Sequence, residues 1–321
     1  MKRQARKRSL ASVALACLAL SACWSPSTPS TILPGTNLAD PGVIYGAGQY
    51  HLFATNWGYF RIPHYASSSL TGASWSGITE ALPTAPSWAL GHFWGPEVVL
   101  KGSTYYLFYA ATVAWDGSPF GEHAIGVAQS SKPGGPFTPI GGGPVYRDPS
   151  HNGVIDPDVV YDYNGNYYLL WSVDWGRYGR YSSVTRKIQG CRLRSDMLGC
   201  ATGVTTLLSA DRGSWEAGTV EAPSLVTGGD GNYHLFYSGG NFEGADGKPY
   251  GEGYALCGTT PLSACSRVGT GPWVGEGWNG LHNPGGADLI PYYWGVYAAI
   301  GHADVGGGRR EPRVVFVSWT Q

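Results

Sequence analysis

Three acidic residues stand at the head of similar segments. Asp40 opens Asp40-Pro-Gly-Val-Ile, Asp156 opens Asp156-Pro-Asp-Val-Val-Tyr and Glu221 opens Glu221-Ala-Pro-Ser-Leu-Val. An aromatic, apolar run follows each at nearly the same distance, starting at Tyr50, Tyr167 and Tyr233. Any one of these acids reads as a turn starter. Their recurrence ahead of the same kind of run singles them out. Carboxyls that converge repel one another, which raises at least one pKa and lets an acid and a base coexist. A protonated carboxyl for a leaving oxygen and a carboxylate to activate water are the needs of an inverting glycosidase, typically ~6.5–9.5 Å apart.

The elements that must position these acids form a repeat. Two further openings, Trp94-Gly-Pro-Glu-Val-Val-Leu and Asn283-Pro-Gly-Gly-Ala-Asp-Leu-Ile, stand at the same distance from their own runs, at Tyr105 and Trp294, as Asp156 does from Tyr167. The five runs thus start at Tyr50, Tyr105, Tyr167, Tyr233 and Trp294, a nearly even spacing. Between opening and run lie Gly- and Asn-rich turns such as Lys101-Gly-Ser-Thr and Asn164-Gly-Asn. Each unit therefore begins strand, tight turn, strand buried on both faces. Third strands are visible at 124–129 and 253–257, and the run at 313–319 could complete the last unit. A hairpin unit repeated five times at about 60 residues predicts an all-β, five-bladed β-propeller over residues 38–321, where WD40 spacing is ~40–45 and kelch ~50. The opening strand of a blade usually lies innermost, so the three acids are expected in equivalent positions around one mouth.

Composition agrees. The 321 residues include 49 Gly, 22 Pro, 13 Trp and 21 Tyr, which favours short strands and turns over a helical bundle. A hydrophobic share of 43% excludes a disordered chain. With 21 basic and 22 acidic residues there is no basic footprint for nucleic acid.

The N-terminus reads separately. Residues 1–8 carry five basic side chains (Lys2, Arg3, Arg6, Lys7, Arg8), and residues 9–22 are small and apolar. That is the layout of an export signal, too short to span a bilayer comfortably. Its end, Leu20-Ser-Ala-Cys23, resembles the lipobox of bacterial lipoproteins. The resemblance implies cleavage before Cys23, a lipid on its thiol, and a protein anchored to the cell envelope or secreted. Residues 23–37, rich in Pro, Ser and Thr, are expected to be a tether. Four cysteines remain, Cys191, Cys200, Cys257 and Cys265. An oxidising compartment favours disulfides; three pairings are possible, and the local ones, Cys191–Cys200 and Cys257–Cys265, close small loops.

Five units opening on Asp, Asp and Glu in blades one, three and four resemble glycoside hydrolase family 43. That family comprises five-bladed propeller arabinanases, arabinofuranosidases and xylosidases. The likeness extends from Leu38 to Trp319, and Val220-Glu-Ala-Pro-Ser224 is its most specific piece. Phe93-Trp-Gly-Pro-Glu-Val98 is similar to a family element, with Glu97 replacing Asp. The resemblance implies that Asp40 is the general base, Glu221 the general acid, and Asp156 the residue that orients the acid and tunes its pKa. Asp158 and Glu97 are then structural, and Glu216 a loop residue near the pocket rim. Trp94 and Trp57 would offer aromatic faces to sugar. Arg310, or Arg309 if the alignment slips by one, would contact substrate. His302 would sit on the axis near Ca2+ or another ion, though no other cofactor is required and calcium prefers several oxygens. A monomer acting on plant-type polysaccharide or oligosaccharide is expected. Loops 115–123, 175–181 and 241–253 would decide between exo- and endo-action. The alternatives are a non-catalytic glycan-binding lipoprotein, favoured if one acid were missing, and a related propeller glycosidase of another sugar specificity.

Overall fold

The computed structural model describes residues 23–320 except 73, 116, 118, 151–152, 174–185 and 243–246. Its strands form five antiparallel sheets, one per repeat, arranged as the blades of a propeller. The first blade contains Gly42–Gly46, Gln49–Phe53, Pro63–Ser67 and Thr79–Glu80. The second contains Gly91–Lys101, Thr104–Ala114 and Glu122–Ser130, with Thr138–Pro139 and Tyr146–Arg147 on its outer edge. Val154–Tyr161, Tyr167–Val173, Lys187–Arg192 and Thr205–Ser209 make the third. The fourth is Glu221–Thr227, Tyr233–Gly239, Gly251–Leu256 and Ser266–Arg267.

The fifth blade is closed by both ends of the chain. Gly285–Tyr293, Val296–Asp304 and Arg310–Thr320 are completed by Cys23–Pro26, which pairs antiparallel with Arg310–Thr320; Ser30–Thr31 pairs with the same strand. Residues 23–37 are therefore not the tether that their composition suggested. The segment carries apolar side chains large enough to be buried. Trp24 is buried against Trp319, Phe236, Tyr297 and His234, and Ile32 is buried in the cluster that joins the fifth and first blades.

Burial explains the aromatic runs. Each second strand is sandwiched between neighbouring blades, so both of its faces must be apolar. Trp171 of the third blade is fully buried and stacks beside Tyr146 of the second. Near the axis the inner strands approach so closely that side chains are excluded. A Cβ on Gly42 would lie 1.9 Å from the Pro96 carbonyl oxygen of the next blade.

Side chains stitch successive inner strands together. The Leu225 N–H donates to Asp158 Oδ2 (3.0 Å), the Leu289 N–H to Ser224 Oγ (3.0 Å) and the Val43 N–H to Asp288 Oδ2 (2.7 Å). These bonds link blade three to four, four to five and five to one. Outside the axis, disulfides Cys191–Cys200 and Cys257–Cys265 close the short loops of the third and fourth blades.

Candidate functional site

The inner strands share one backbone device. Asp40, Gly95, Asp156, Ala222 and Gly286 all have positive φ, between 47° and 64°. In blades two to five the device coincides with a register shift in the pairing of inner and second strands. A left-handed residue there turns the chain inward, so that the residues around it point at the axis. Non-Gly residues adopt this conformation at a cost, and Asp does so more readily than most. Three of the five ring positions, Asp40, Asp156 and Ala222, are non-Gly and carry that cost.

This ring corrects one expectation. Asp40 and Asp156 are equivalent, but Glu221 is not their counterpart: Ala222 is, and Glu221 lies one position earlier, level with Trp94. The sequence carries a trace of this displacement, because Glu221 stands one position further from Tyr233 than Asp156 does from Tyr167.

Asp40 and Asp156 line a small funnel on the axis together with Pro41, Pro157, Pro223 and Gly286. Asp40 Oδ2 accepts a hydrogen bond from Thr55 Oγ1 at 2.7 Å. Asp156 Oδ2 accepts from the Ala222 N–H at 3.0 Å, which couples Asp156 to the residue adjoining Glu221. Both aspartates press against glycines: a Cβ on Gly95 would lie 3.0 Å from Asp156 Oδ1, and one on Gly286 3.0 Å from Asp40 Oδ1.

Glu221 is buried and held at both oxygens. Tyr250 donates its hydroxyl to Oε1 at 2.7 Å, and the Arg186 guanidinium forms an ion pair with Oε2. Tyr250 ties the three acids into one site. Burial raises its phenol well above the ordinary range, and the charges of Asp40 and Asp156 raise it further. Sequence reasoning missed Tyr250 and Arg186. Tyr250 lies next to a third strand, where aromatic residues are common, and Arg186 lies just before the third strand of its own blade. Neither position carries a repeat signature.

His302 is buried beside Asp40. Its Nδ1 accepts the Asp40 N–H at 3.2 Å and lies 3.6 Å from Asp40 Oδ1. Burial, then the nearby Arg310 charge, lowers its pKa to about 3, against the opposing pull of Asp40. The ring is neutral, and with Nδ1 accepting, Nε2 carries the proton. The imidazole thus supports the Asp40 backbone through Nδ1, and its buried Nε2 has no hydrogen-bond partner among the described residues. Among the described residues no group of three acidic, His or Cys side chains is placed to hold a metal.

The other expected residues are distributed around the mouth. Trp94 is half-buried and stacks on His123 at 4.1 Å, with Phe120 at 5.2 Å and His92 at 5.8 Å. Trp57 is exposed in the loop after the first blade's second strand. Arg310 lies over the Phe242 ring at 5.8 Å and receives backbone support from Asn37. Arg309 is exposed and its charge acts on Glu311 instead. Stretch 175–181 lies outside the described residues.

Glu216 is not at the rim. It is fully buried, bonded by Arg267 at 2.6 and 2.7 Å, Tyr237 Oη at 2.7 Å and the Asp211 N–H at 2.7 Å. Both of its oxygens are spent on holding the fourth blade together.

Deeper on the axis, Glu97, Asp158 and Asp288 face one another. Burial drives Asp158 up to about 8 and Asp288 to about 7, with the Asp288 charge adding to the first. Glu97 is raised by burial and by both aspartates. Protons shared among these three remove the repulsion that three carboxylates would otherwise build beneath the mouth.

The family model described as glycosyl hydrolases family 43 matches residues 30–321. A probable arabinan endo-1,5-alpha-L-arabinosidase A of Aspergillus flavus is 27% identical over an alignment of 321 positions, covering 91% of this chain and 92% of that protein. A xylosidase/arabinosidase of Bacteroides ovatus is 29% identical over 164 positions, 45% of this chain and 46% of its own. Among solved structures, a thermostable family-43 glycoside hydrolase superposes with a TM-score of 0.74 at 20% identity, covering 91% of this chain and 96% of that one.

Proposed function

The chain belongs to glycosyl hydrolase family 43 and is a glycosidase, and we propose that it cleaves arabinose- or xylose-containing polysaccharide with inversion, Glu221 acting as acid and Asp40 as base. The observation that carries this reading is the Tyr250 hydroxyl, which bonds Glu221 while the charges of Asp40 and Asp156 act on it. Three carboxyls and one phenol thereby share a site of opposed proton demands. Full-length similarity to an arabinan-cleaving relative supports arabinan as the first substrate to try.

In this mechanism Asp40 takes a proton from the attacking water. Thr55 and the His302-held backbone fix its carboxylate. Glu221 gives a proton to the departing glycosidic oxygen. Arg186 favours its ionised form, while the negative charges of Asp40 and Asp156 favour the protonated one. A substrate that draws Arg186 away from Oε2 would tip Glu221 toward the acid form as the bond is about to break. Asp156 holds the Ala222 amide and so fixes where Glu221 stands. Trp94, Trp57 and Arg310 supply faces and charge to the sugar.

Export through residues 1–22 and attachment of a lipid at Cys23 complete the reading, with residues 23–320 as one propeller acting as a monomer on the outer side of the membrane. The decisive experiment incubates the full chain with aryl α-L-arabinofuranoside, aryl β-D-xyloside, linear arabinan and arabinoxylan, beside Glu221→Gln and Asp40→Asn. Loss of a general acid or base typically costs roughly 10²–10⁴-fold in rate. Equal hydrolysis by wild type and variants would refute the assignment. Glycan binding without hydrolysis by any of them would make the protein a capture module.

A further inference from the structure

The first hairpin turn of each blade lies at the end of the inner strand remote from Asp40, Asp156 and Glu221, so the five turns surround the axis on the opposite face. On the first, third and fifth blades that face is aromatic. Trp294 is 99% exposed and Tyr163 90%, and Tyr45, Tyr161 and Tyr293 are exposed as well. They are not scattered. From the fifth blade to the first runs a contiguous belt, with ring centroids 5.2 Å apart for Tyr293–Tyr292, 6.4 Å for Tyr292–Tyr50 and 4.9 Å for Tyr50–Tyr45. On the third blade Tyr161 packs on Tyr167 at 5.7 Å. Two acidic residues of these turns are folded back onto the protein. Asp162 is bonded to Asn166 and Tyr168, and Asp230 to Asn232 and His234.

The chain enters the fold at this same face. Cys23 pairs with Thr320 at the end of the last strand, and the neighbouring Trp319 N–H donates to the Gly295 carbonyl of the Trp294–Gly295 turn at 2.9 Å. No linker separates Cys23 from the blade, because Cys23 itself lies in the strand. Residues 1–22, with their basic and apolar parts, lead directly to that point.

We propose that this aromatic face docks on the lipid surface of the membrane to which Cys23 is anchored, with Tyr293 and Trp294 seated at the headgroup level. The proposal rests on the reading of Cys23 as a lipidation site. Trp and Tyr are enriched at the membrane–water interface because one end of each ring is apolar and the other polar. A lipid anchor becomes stable when a second signal joins it, and the exposed belt is such a signal. The strand Gly285–Tyr293 then holds the catalytic mouth roughly 25–30 Å above the headgroups, open to polysaccharide. Exposed aromatic rings also suit sugars. The membrane is favoured because the anchor point and the belt share one face.

The test uses the full chain in bacterial cells, with Trp294→Cys and, at the mouth, the fully exposed Tyr59→Cys as separate variants. Radiolabelled palmitate in wild type and Cys23→Ser reads the anchor. A membrane-impermeant maleimide then reads the faces, in isolated membranes and after detergent. The expected result is palmitate only where Cys23 is intact, labelling of Trp294→Cys at least tenfold slower in membranes than in detergent, and equal labelling of Tyr59→Cys in both. Both cysteines reacting freely in palmitate-bearing membranes would overturn the docking alone. Absence of palmitate would overturn the anchor reading and docking with it. Protection of Trp294→Cys by soluble arabinan after detergent would assign the belt to sugar instead. Thermal melts matching wild type confirm that the variants fold.

Discussion

At the scale of the residue, the site is a balance around Glu221. Arg186 and Tyr250 both stabilise its carboxylate, whereas the general acid that we propose it to be must carry a proton. Removing a cation beside an acid raises the acid's pKa, so Arg186→Gln is expected to move the alkaline limb of the kcat/KM profile upward by roughly 1–3 pH units. A fixed limb would mean that Arg186 does not govern the acid. Tyr250→Phe removes one donor without touching the cation, and a smaller upward movement in the same profile is expected. Asp40, Asp156 and Glu221 were legible in the sequence because each heads a repeat. Their true alignment was not. The shift of Glu221 by one position follows from a backbone device, a left-handed residue, that Asp, Gly and Ala share without a common side chain. Arg186, Tyr250 and Thr55 were illegible for another reason: each reaches an acid that is remote in the chain.

At the scale of the element, the five inner hairpins were readable because burial on both faces demands aromatic, apolar runs. The outer strands are short and half-exposed, and composition alone does not mark them. The N-terminal segment shows the same limit in reverse. Its Pro, Ser and Thr suggested a tether, yet Trp24 and Ile32 bury themselves in the blade that the chain's other end begins. Trp24 is 3% exposed among four aromatic neighbours. Trp24→Ala is expected to cost about 3–5 kcal/mol in denaturant unfolding of the full chain. A loss below about 1 kcal/mol, the ordinary effect of a substitution away from the core, would show that the strand is an appendage and the tether reading was sound.

At the scale of the whole molecule, the buried acids set how stability responds to pH. Asp158 and Glu252 are raised to about 8 and Asp288 to about 7, chiefly by burial. A carboxyl whose folded pKa exceeds its unfolded value stabilises the fold below the unfolded pKa, and this stability is lost as pH rises through the folded one. His64, lowered to about 4, and His302, to about 3, act in the opposite sense: their contribution is lost as pH falls below about 6.5. Between about pH 6.5 and 8 the carboxyls act without that opposition. The melting temperature is therefore expected to fall across this window, and Glu252→Gln to flatten the fall. A rising or level curve in the wild type would contradict the burial of these groups as protonated acids. The ring's closure has a consequence of a different kind, in time rather than in energy. Trp24 and Trp319 pair across nearly the full length of the chain. Strand Cys23–Pro26 is thus made long before its neighbour, since Arg310–Thr320 lies far along the chain. Closure over so long a loop is slow. Until it occurs, the Arg310–Thr320 strand is an open edge able to pair with another chain. A newly made chain therefore passes through an unclosed ring, and the interval before these two strands meet is when it is most exposed to aggregation and proteolysis.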